Sequence, residues 1–215
     1  FWEKAKQELY TLVPIYHPAL ERIFDIDVLE EIDSYYLSRA WVNGQPLSEI
    51  ADEAEGGQIT IWLRELLVGL QYLHRLSLTH KNISPENIIC GETTASLVGF
   101  SGLPSDASLE SNLLYLDPQV QDHGWLPESD VYSLLVSFIL TLSPRQSLDI
   151  IEQVDFDFLE EIVGREAFYR IKNFLTERPV IPPGTDYLGL FSLDKVEEKL
   201  QDLPEVLKSK WGISK

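Results

Sequence analysis

The sequence predicts an α+β fold in which a small strand-bearing part precedes a larger, mostly helical part. Two strand-like runs, near residues 20–28 and 34–41, flank an acidic turn at residues 30–33. One apolar stripe between residues 59 and 74 has the spacing of an amphipathic helix, and shorter stripes follow at 148–153, 156–163 and 166–175. Strands grouped early and helices grouped late are typical of this fold class.

The composition describes a globular chain with an acidic surface. Its 215 residues are 44% hydrophobic, which is enough for a sizeable core. Asp and Glu number 35 against 17 Lys and Arg, which argues against nucleic acid and anionic membranes as the main partners. The single cysteine, Cys90, excludes a disulfide framework within the chain, and we expect it to be a buried small hydrophobe.

The sequence has no apolar run near the ~20 residues that span a bilayer, and no signal peptide is visible. We therefore expect a cytoplasmic protein that does not act on membranes. Because the sequence lacks Met and starts at Phe1, we also expect it to be a piece of a longer polypeptide.

The elements can be predicted in order along the chain. Residues 1–13 form a predicted helix in which Trp2, Leu9 and Leu12 recur at helical spacing, and Pro14 ends it. After the two strands and the helix of residues 59–74, residues 88–90 and 97–98 read as short strands around a turn. A Pro- and Gly-rich loop at 180–186 precedes a last predicted helix at 193–210, which Pro204 bends or interrupts.

Residues 80–87, His-Lys-Asn-Ile-Ser-Pro-Glu-Asn, resemble the catalytic loop of protein kinases, H-R-D-L-x-x-x-N. His80 and Asn87 match that pattern. The position of the catalytic Asp holds Asn82, whose amide has no basic oxygen to accept the substrate proton. Lys81 replaces the Arg of the pattern and keeps its positive charge, but it lacks the planar guanidinium group. Ser84 stands where most serine/threonine kinases have Lys.

Gly99, Phe100 and Ser101 resemble the D-F-G motif that follows the catalytic loop in the same family. Gly99 takes the position of the Asp that holds Mg²⁺, and it has no side chain to offer as a ligand. Asn87 alone is a weak neutral ligand for a hard cation. A chance match of a strand–turn–helix stretch is the alternative, and the flanking segments argue against it.

The flanking segments resemble the kinase pattern on the N-terminal side. Residues 17–20, His-Pro-Ala-Leu, are similar to the H-P-N-I that follows the regulatory helix. On that alignment Glu8 takes the place of the Glu that pairs with the ATP-contacting Lys, and Leu12 matches a member of the regulatory apolar stack. The alternative for Glu8 is an exposed helix residue. Residues 41–47 resemble the hinge, which puts Arg39 at or next to the gatekeeper position unless it pairs with a nearby acid.

The C-terminal flank resembles the family as well. Residues 115–120 are similar to the kinase pattern Y-x-A-P-E-V, and Pro118 is kept. Gln119 replaces the Glu that forms a structural ion pair in the family, so we expect this stabilising contact to be weaker. Residues 127–134 resemble the start of the central kinase helix, where an Asp anchors the backbone of the catalytic loop. We expect Asp130 to hydrogen-bond the backbone near His80 or Lys81. Positions that carry the fold are kept, and positions that carry chemistry are not.

The resemblance implies a protein-kinase-like fold with a reduced or truncated small β lobe. Residues 1–42 would form a partial small lobe, with the regulatory helix and two strands. Residues 43–180 would form the large lobe, and residues 181–215 a C-terminal loop and helix. The glycine-rich strands and their Lys are missing from this sequence.

The degenerate site leads us to expect a pseudokinase that is not an enzyme and binds neither ATP nor Mg²⁺. It would act as a protein-interaction scaffold or allosteric regulatory module of a larger protein. One alternative is a regulatory domain that binds nucleotide, and another is an atypical active serine/threonine kinase with Glu86 or another acid as the base. We expect no metal site either, because the four histidines lack metal-ligand spacing.

The predicted N-terminal helix carries more large apolar groups than one narrow stripe can bury. We therefore expect a protein-binding surface centred on Phe1, Trp2 and Leu9. It would dock another domain of the same polypeptide, a separate protein or a second copy of the chain. The alternative is that these residues complete the core of the small lobe.

Overall fold

The computed structural model describes residues 10–29, 34–100, 113–143, 151, 153 and 155–194. Strand β1 covers Ile23–Leu29, β2 Ser34–Arg39, β3 Gln45–Pro46, β4 Ile88–Cys90 and β5 Ala95–Leu97. The helices are α1 (Leu47–Ile50), α2 (Gly56–Arg75), α3 (Val120–His123), α4 (Pro127–Leu142), α5 (Phe158–Val163), α6 (Arg165–Glu177) and α7 (Tyr187–Leu190). Short 3-10 turns occupy Ala51–Glu53 and Pro85–Asn87.

The strands form two small sheets. Antiparallel β1 and β2 make a two-stranded sheet, and β3, β4 and β5 make a three-stranded antiparallel sheet in that order. The chain just before β1 runs parallel to β5: the Glu21 N–H donates to the Leu97 carbonyl at 2.8 Å, and the Leu97 N–H donates to the Ala19 carbonyl at 2.9 Å. This contact connects the two sheets and brings residue 21 beside the segment that follows β5.

Helices α2 and α4 form the centre of the larger part. The apolar stripe of α2 is fully buried, and its residue Gly69 is needed because a Cβ there would lie 2.9 Å from the Cβ of Ala19. Helix α4 begins with Pro127 at its first position, a favoured place for proline. It is buried on nearly all sides, as expected for a helix in the middle of a core.

The predicted elements agree with the structure where both can be compared, apart from their bounds. The helix expected at 59–74 covers Gly56–Arg75, and the strand expected at 97–98 covers Ala95–Leu97. Strand β3 and the short helices α1, α3 and α7 were not expected as separate elements, and α7 follows the predicted 180–186 loop. Residues 1–9 of the first predicted helix, and residues 195–210 of the last, lie outside the described residues. In the part of the chain that is described, no helix is both long and apolar enough to cross a bilayer.

Candidate functional site

Asp130, on the first turns of α4, holds the backbone of the loop at residues 80–87. Its carboxylate accepts the His80 N–H at 2.6 Å and the Lys81 N–H at 2.9 Å. Lys81 has a φ of 65°, in the left-handed region that costs a non-glycine residue energy, so this loop needs such support. These are the hydrogen bonds that the sequence analysis expects of Asp130.

A buried chain of polar side chains extends from Asp130 through His74 to Tyr187 of α7. His74 Nε2 lies 3.0 Å from Asp130 Oδ2, and His74 Nδ1 lies 2.5 Å from the Tyr187 hydroxyl. His74 therefore bridges the Asp130 carboxylate and the Tyr187 hydroxyl, one on each ring nitrogen. Burial alone would raise the pKa of Asp130. The interactions of its carboxylate with His74 and His80 outweigh this effect, so the pKa of Asp130 is lowered. Burial and the nearby carboxylates Asp130 and Glu128 raise the pKa of Tyr187.

Asn82, Asn87 and Gly99 are hydrogen-bonded to one another. The Asn82 amide donates to the Gly99 carbonyl at 2.7 Å, and the Asn87 amide donates to the Asn82 carbonyl at 3.0 Å. Gly99 has a φ of +75°, and a Cβ at this position would lie 2.9 Å from Asn87 Oδ1. The loop and the segment after β5 therefore fit together only because residue 99 has no side chain.

Glu21 supplies a carboxylate to the backbone of residues 99 and 100. Its Oε1 accepts the Gly99 N–H at 2.6 Å and the Phe100 N–H at 3.0 Å, and its Oε2 pairs with Arg39 Nη1 at 2.9 Å. The Glu21 side chain is fully buried, whereas that of Arg39 is 49% exposed. The alternative that Arg39 pairs with a nearby acid is therefore the one observed.

The residues around Gly99 do not fit a magnesium ion. Mg²⁺ prefers carboxylate oxygens, and the carboxylate nearest the Gly99 backbone is that of Glu21. Both Glu21 oxygens are already engaged, one by two N–H groups and the other by a guanidinium. Among the described residues, no cluster of three His, Cys, Asp or Glu could hold a metal.

His80 and Ser84 point into the core of the site. The His80 ring is fully buried and packs on Phe100, with 4.4 Å between ring centroids. Neither His80 ring nitrogen has a hydrogen-bond partner among the described residues, and the same is true of the buried Ser84 hydroxyl. Burial lowers the pKa of His80, although the charges of Asp130 and Glu21 oppose it, so the ring is neutral at neutral pH.

A buried ion pair lies two residues before Gln119. Gln119 is exposed, but Asp117, two residues earlier, is buried and lies 3.3 Å from Arg178 Nη1. The Arg178 guanidinium also stacks on Tyr132 of α4, 3.4 Å from the ring centroid. An acid at position 117 therefore provides the ion pair that Gln119 cannot form.

The other predicted positions are distributed as follows. Leu12 is buried in the core, and Pro118 is exposed. The predictions for Phe1, Trp2, Glu8, Leu9 and Ser101 concern residues outside the described part of the chain. The four described histidines do not come together as ligands of one metal.

Sequence reasoning missed Glu21, Tyr187 and the Asp117–Arg178 pair. Glu21 could have been noticed as an acid inside the apolar run that enters β1, since a charge there needs a partner. Nothing local identifies Tyr187 as a partner of His74, because 113 residues separate them.

No protein-family model matches the sequence, but the chain is similar to several proteins named as protein kinases. Calcium-dependent protein kinase 6 of Plasmodium berghei (strain Anka) is 23% identical over 201 residues, which are 80% of this chain and 13% of that protein. Serine/threonine-protein kinase Nek11 of Macaca fascicularis is 22% identical over 224 residues, covering 93% of this chain and 34% of that protein. An inactive leucine-rich repeat receptor-like serine/threonine-protein kinase of Arabidopsis thaliana is 32% identical over 90 residues, covering 38% of this chain and 15% of that protein.

The prediction that this chain is not an enzyme is contradicted by these comparisons. Two of the relatives are named as protein kinases without qualification. The crystal structure of Rad53 1-466 in complex with AMP-PNP also matches, with a TM-score of 0.64 and 19% identity over 89% of this chain and 54% of that one. The similarity points to the protein kinases, at a distance, and the predicted fold class is confirmed: this chain has a protein-kinase-like fold with a mostly helical large part and a small strand-bearing part.

Proposed function

We propose that this chain is a regulatory domain of protein-kinase-like fold that acts by binding protein, and that its partner is another region of the same polypeptide. The main support for the proposal is that polar side chains in the loop at residues 80–87 form hydrogen bonds that stabilise the loop itself. The Asn82 and Asn87 amides donate to backbone carbonyls, so they hold the loop in place. A loop stabilised in this way can serve as a fixed architecture for a binding surface.

The choice of partner is supported by the length of the relatives. The similar region makes up 13% to 34% of the curated kinases that the chain matches. A domain that forms a minor part of a long polypeptide has other parts of that polypeptide at high effective concentration.

The small strand-bearing part exposes aromatic side chains suited to such a contact. Tyr16 is 66% exposed and Phe24 53%, and the guanidinium of Arg22 lies over both rings, 5.2 and 5.6 Å from their centroids. Aromatic residues and Arg are enriched at binding hot spots. The expected surface at Phe1, Trp2 and Leu9 belongs to the same part of the sequence, since these residues precede the two strands.

The substitution Trp2→Glu in the complete polypeptide tests this surface. We expect the variant to be more expanded in small-angle scattering at unchanged mass, because an internal contact is lost. The matched control is Tyr169→Glu, which changes an exposed aromatic on α6 and should leave the dimensions unchanged. A change in mass by sedimentation would instead identify a second copy as the occupant, and unchanged mass and dimensions would reject the surface.

We further propose that Mg·ATP is not a ligand of this domain. The proposal is supported by the engagement of both Glu21 oxygens and by the lack of a carboxylate at position 99. A ligand present at a hundredfold excess over its Kd stabilises a fold by about 2.7 kcal/mol. We expect millimolar Mg·ATP to leave the melting temperature unchanged; a saturable rise would favour the alternative of a nucleotide-binding regulatory domain.

Phosphoryl transfer is a second candidate function, favoured by the kinase names of the relatives. Glu86 is exposed on the 3-10 turn of the loop and is the acid there that could replace the missing base. Transfer of labelled phosphate that needs Mg²⁺ and is lost in both Asn87→Ala and Glu86→Gln would establish this second function.

A further inference from the structure

A cleft of about 530 Å³ lies on the large part, where the C-terminal end of α2 meets the start of α4 and the loop before α7. Its walls include Arg75 and Leu78 after α2, Lys81 from the loop at 80–87, Trp125 before α4, and Ile181 and Tyr187 on the far side. Sites for small organic ligands have volumes of about 300–1,000 Å³. The cleft is therefore large enough for one such molecule.

The charge of this cleft is opposite to that of the chain. The chain carries 35 Asp and Glu, yet none of the described residues that line the cleft is acidic. Two permanent cations, Arg75 and Lys81, do line it. The side chain of Arg75 is exposed and makes no ion pair or hydrogen bond with any residue that the structure describes. An anion in the cleft would meet these two cations, while the buried carboxylates of Glu128 and Asp130, which act on Tyr187, do not line the cleft.

The rest of the lining combines apolar side chains with polar ones such as Gln71, Ser77 and Thr79. Trp125 and Leu78 are half-buried, Ile181 is buried, and three prolines complete the wall. A ring stacked on Trp125 would remove apolar area from water on both partners. The lining therefore suits a planar hydrophobic body better than a hydrated inorganic ion.

We propose that this cleft binds a small organic anion with a flat apolar body, whose charged group lies between Arg75 and Lys81. Occupancy of the cleft is coupled to the loop at 80–87 through residues that belong to both. His74 and Tyr187 line the cleft, and they connect to Asp130, which holds the His80 and Lys81 N–H groups. A ligand that orders Tyr187 stabilises this chain of hydrogen bonds and hence the loop, and the coupling is reciprocal.

The probe for the cleft is 8-anilinonaphthalene-1-sulfonate, which has two aromatic groups and one fixed negative charge. We expect saturable binding to the folded chain, with a shift of the Trp125 indole resonance in NMR spectra and none for Trp62, which is buried elsewhere. Arg75→Glu should weaken binding about tenfold, because it places a negative charge next to the sulfonate. The uncharged N-phenyl-1-naphthylamine should bind with equal affinity to the wild type and to Arg75→Glu.

The matched control is Arg165→Glu, the same charge reversal at an 80% exposed residue of α6. It should leave the affinity for the sulfonate unchanged, while the melting temperatures of both variants confirm that they fold. Equal affinity in Arg75→Glu and Arg165→Glu, absence of saturable binding, or a shift at Trp62 in place of Trp125 would each overturn the proposed site.

The coupling has its own readout in hydrogen exchange. Bound sulfonate should slow exchange of the His80 and Lys81 amides at least severalfold, since Asp130 accepts both N–H groups. Tyr187→Phe keeps the ring and removes the hydroxyl that contacts His74, so even at a sulfonate concentration that saturates this variant, those amides should not be slowed. Equal slowing in the wild type and in Tyr187→Phe would show that Tyr187 does not couple the cleft to the loop.

Discussion

Asp130 and Glu21 play the same part in two neighbouring segments of the site. Each is a buried acid that accepts two consecutive backbone N–H groups and contacts one basic side chain, His74 or Arg39. Hydrogen bonds to a charged group contribute more than neutral ones, and donors left without a partner inside a protein are costly. The conformation of the loop and of residues 99–100 therefore depends on two carboxylates.

The first prediction compares Asp130→Ala with Asn82→Ala. Loss of Asp130 leaves two N–H groups and His74 without their acceptor, so we expect the free energy of unfolding to fall by about 3 kcal/mol or more. Asn82→Ala removes one hydrogen bond to the Gly99 carbonyl and should cost about 1 kcal/mol. Urea unfolding measures both. Similar small losses in the two variants would contradict the view that Asp130 stabilises the architecture of the loop.

The second prediction concerns pH and His80. Burial lowers the pKa of His80 in the folded state, so the unfolded chain takes up the proton first, near pH 6.5. Stability should therefore fall as the pH drops below about 6.5, by up to about 1.4 kcal/mol per pH unit, until the pH reaches the folded-state pKa. His80→Phe keeps a ring where neither nitrogen has a described partner, and it should lose less stability between pH 7.5 and 5.5.

The control for this pH effect is His123→Phe, which changes an exposed histidine. Its stability should fall with acid as steeply as that of the wild type in urea titrations at the two pH values. If His80→Phe follows the same steep course, the acid sensitivity comes from other groups, such as His17, whose pKa is also lowered by burial.

At the scale of elements, the spacing of apolar residues predicted the helices well. The sequence did not show which side chains form contacts with residues far away in the chain. The apolar stripes of α2 and α6 predicted these helices to within three residues at each end, because each helix buries one continuous face. The motif order also predicted the contact of Asp130 with the loop. The Asp117–Arg178 and Glu21–Gly99 contacts were not predicted, since each joins residues more than 60 positions apart.

The third prediction tests the Asp117–Arg178 pair between the segment before α3 and the end of α6. The Asp117 side chain is 2% exposed and that of Arg178 is 17% exposed. Removing one partner of a buried pair is strongly destabilising, so Asp117→Ala should cost about 3 kcal/mol in urea unfolding. Gln119→Glu, which restores the residue of the kinase pattern at an exposed position, should change stability by less than about 0.5 kcal/mol. The opposite order of effects would show that position 119 forms the important ion pair.

At the scale of the whole molecule, we expect local stability to differ between the core helices and the two-stranded sheet. Helices α2 and α4 lie in one continuous core, whereas β1 and β2 pair only with each other among the described residues. A two-stranded sheet is marginal by itself, and edge strands have unpaired N–H and C=O groups.

The fourth prediction is that this difference is visible in hydrogen exchange of the folded chain. Amides in the middle of α2 and α4 should exchange only through global unfolding, while those of β1 and β2 should exchange at least tenfold faster through local opening. Binding of the proposed partner region should slow β1 and β2 selectively. Uniform protection of all four elements in the isolated chain would contradict this view.

The backbone conformation of Gly99 determines whether an Asp could be introduced at this position. A Cβ at position 99 would lie 2.9 Å from Asn87 Oδ1. A residue with a side chain would also have to adopt a φ of +75°, which costs about 1–3 kcal/mol. An Asp there would also place a second carboxylate next to Glu21, whose Oε1 already accepts the Gly99 N–H. Gly99→Asp alone is therefore expected to destabilise the chain without creating a usable metal ligand. Glu21 and the contacts of Asn87 would have to change before an Asp could be accommodated at this position.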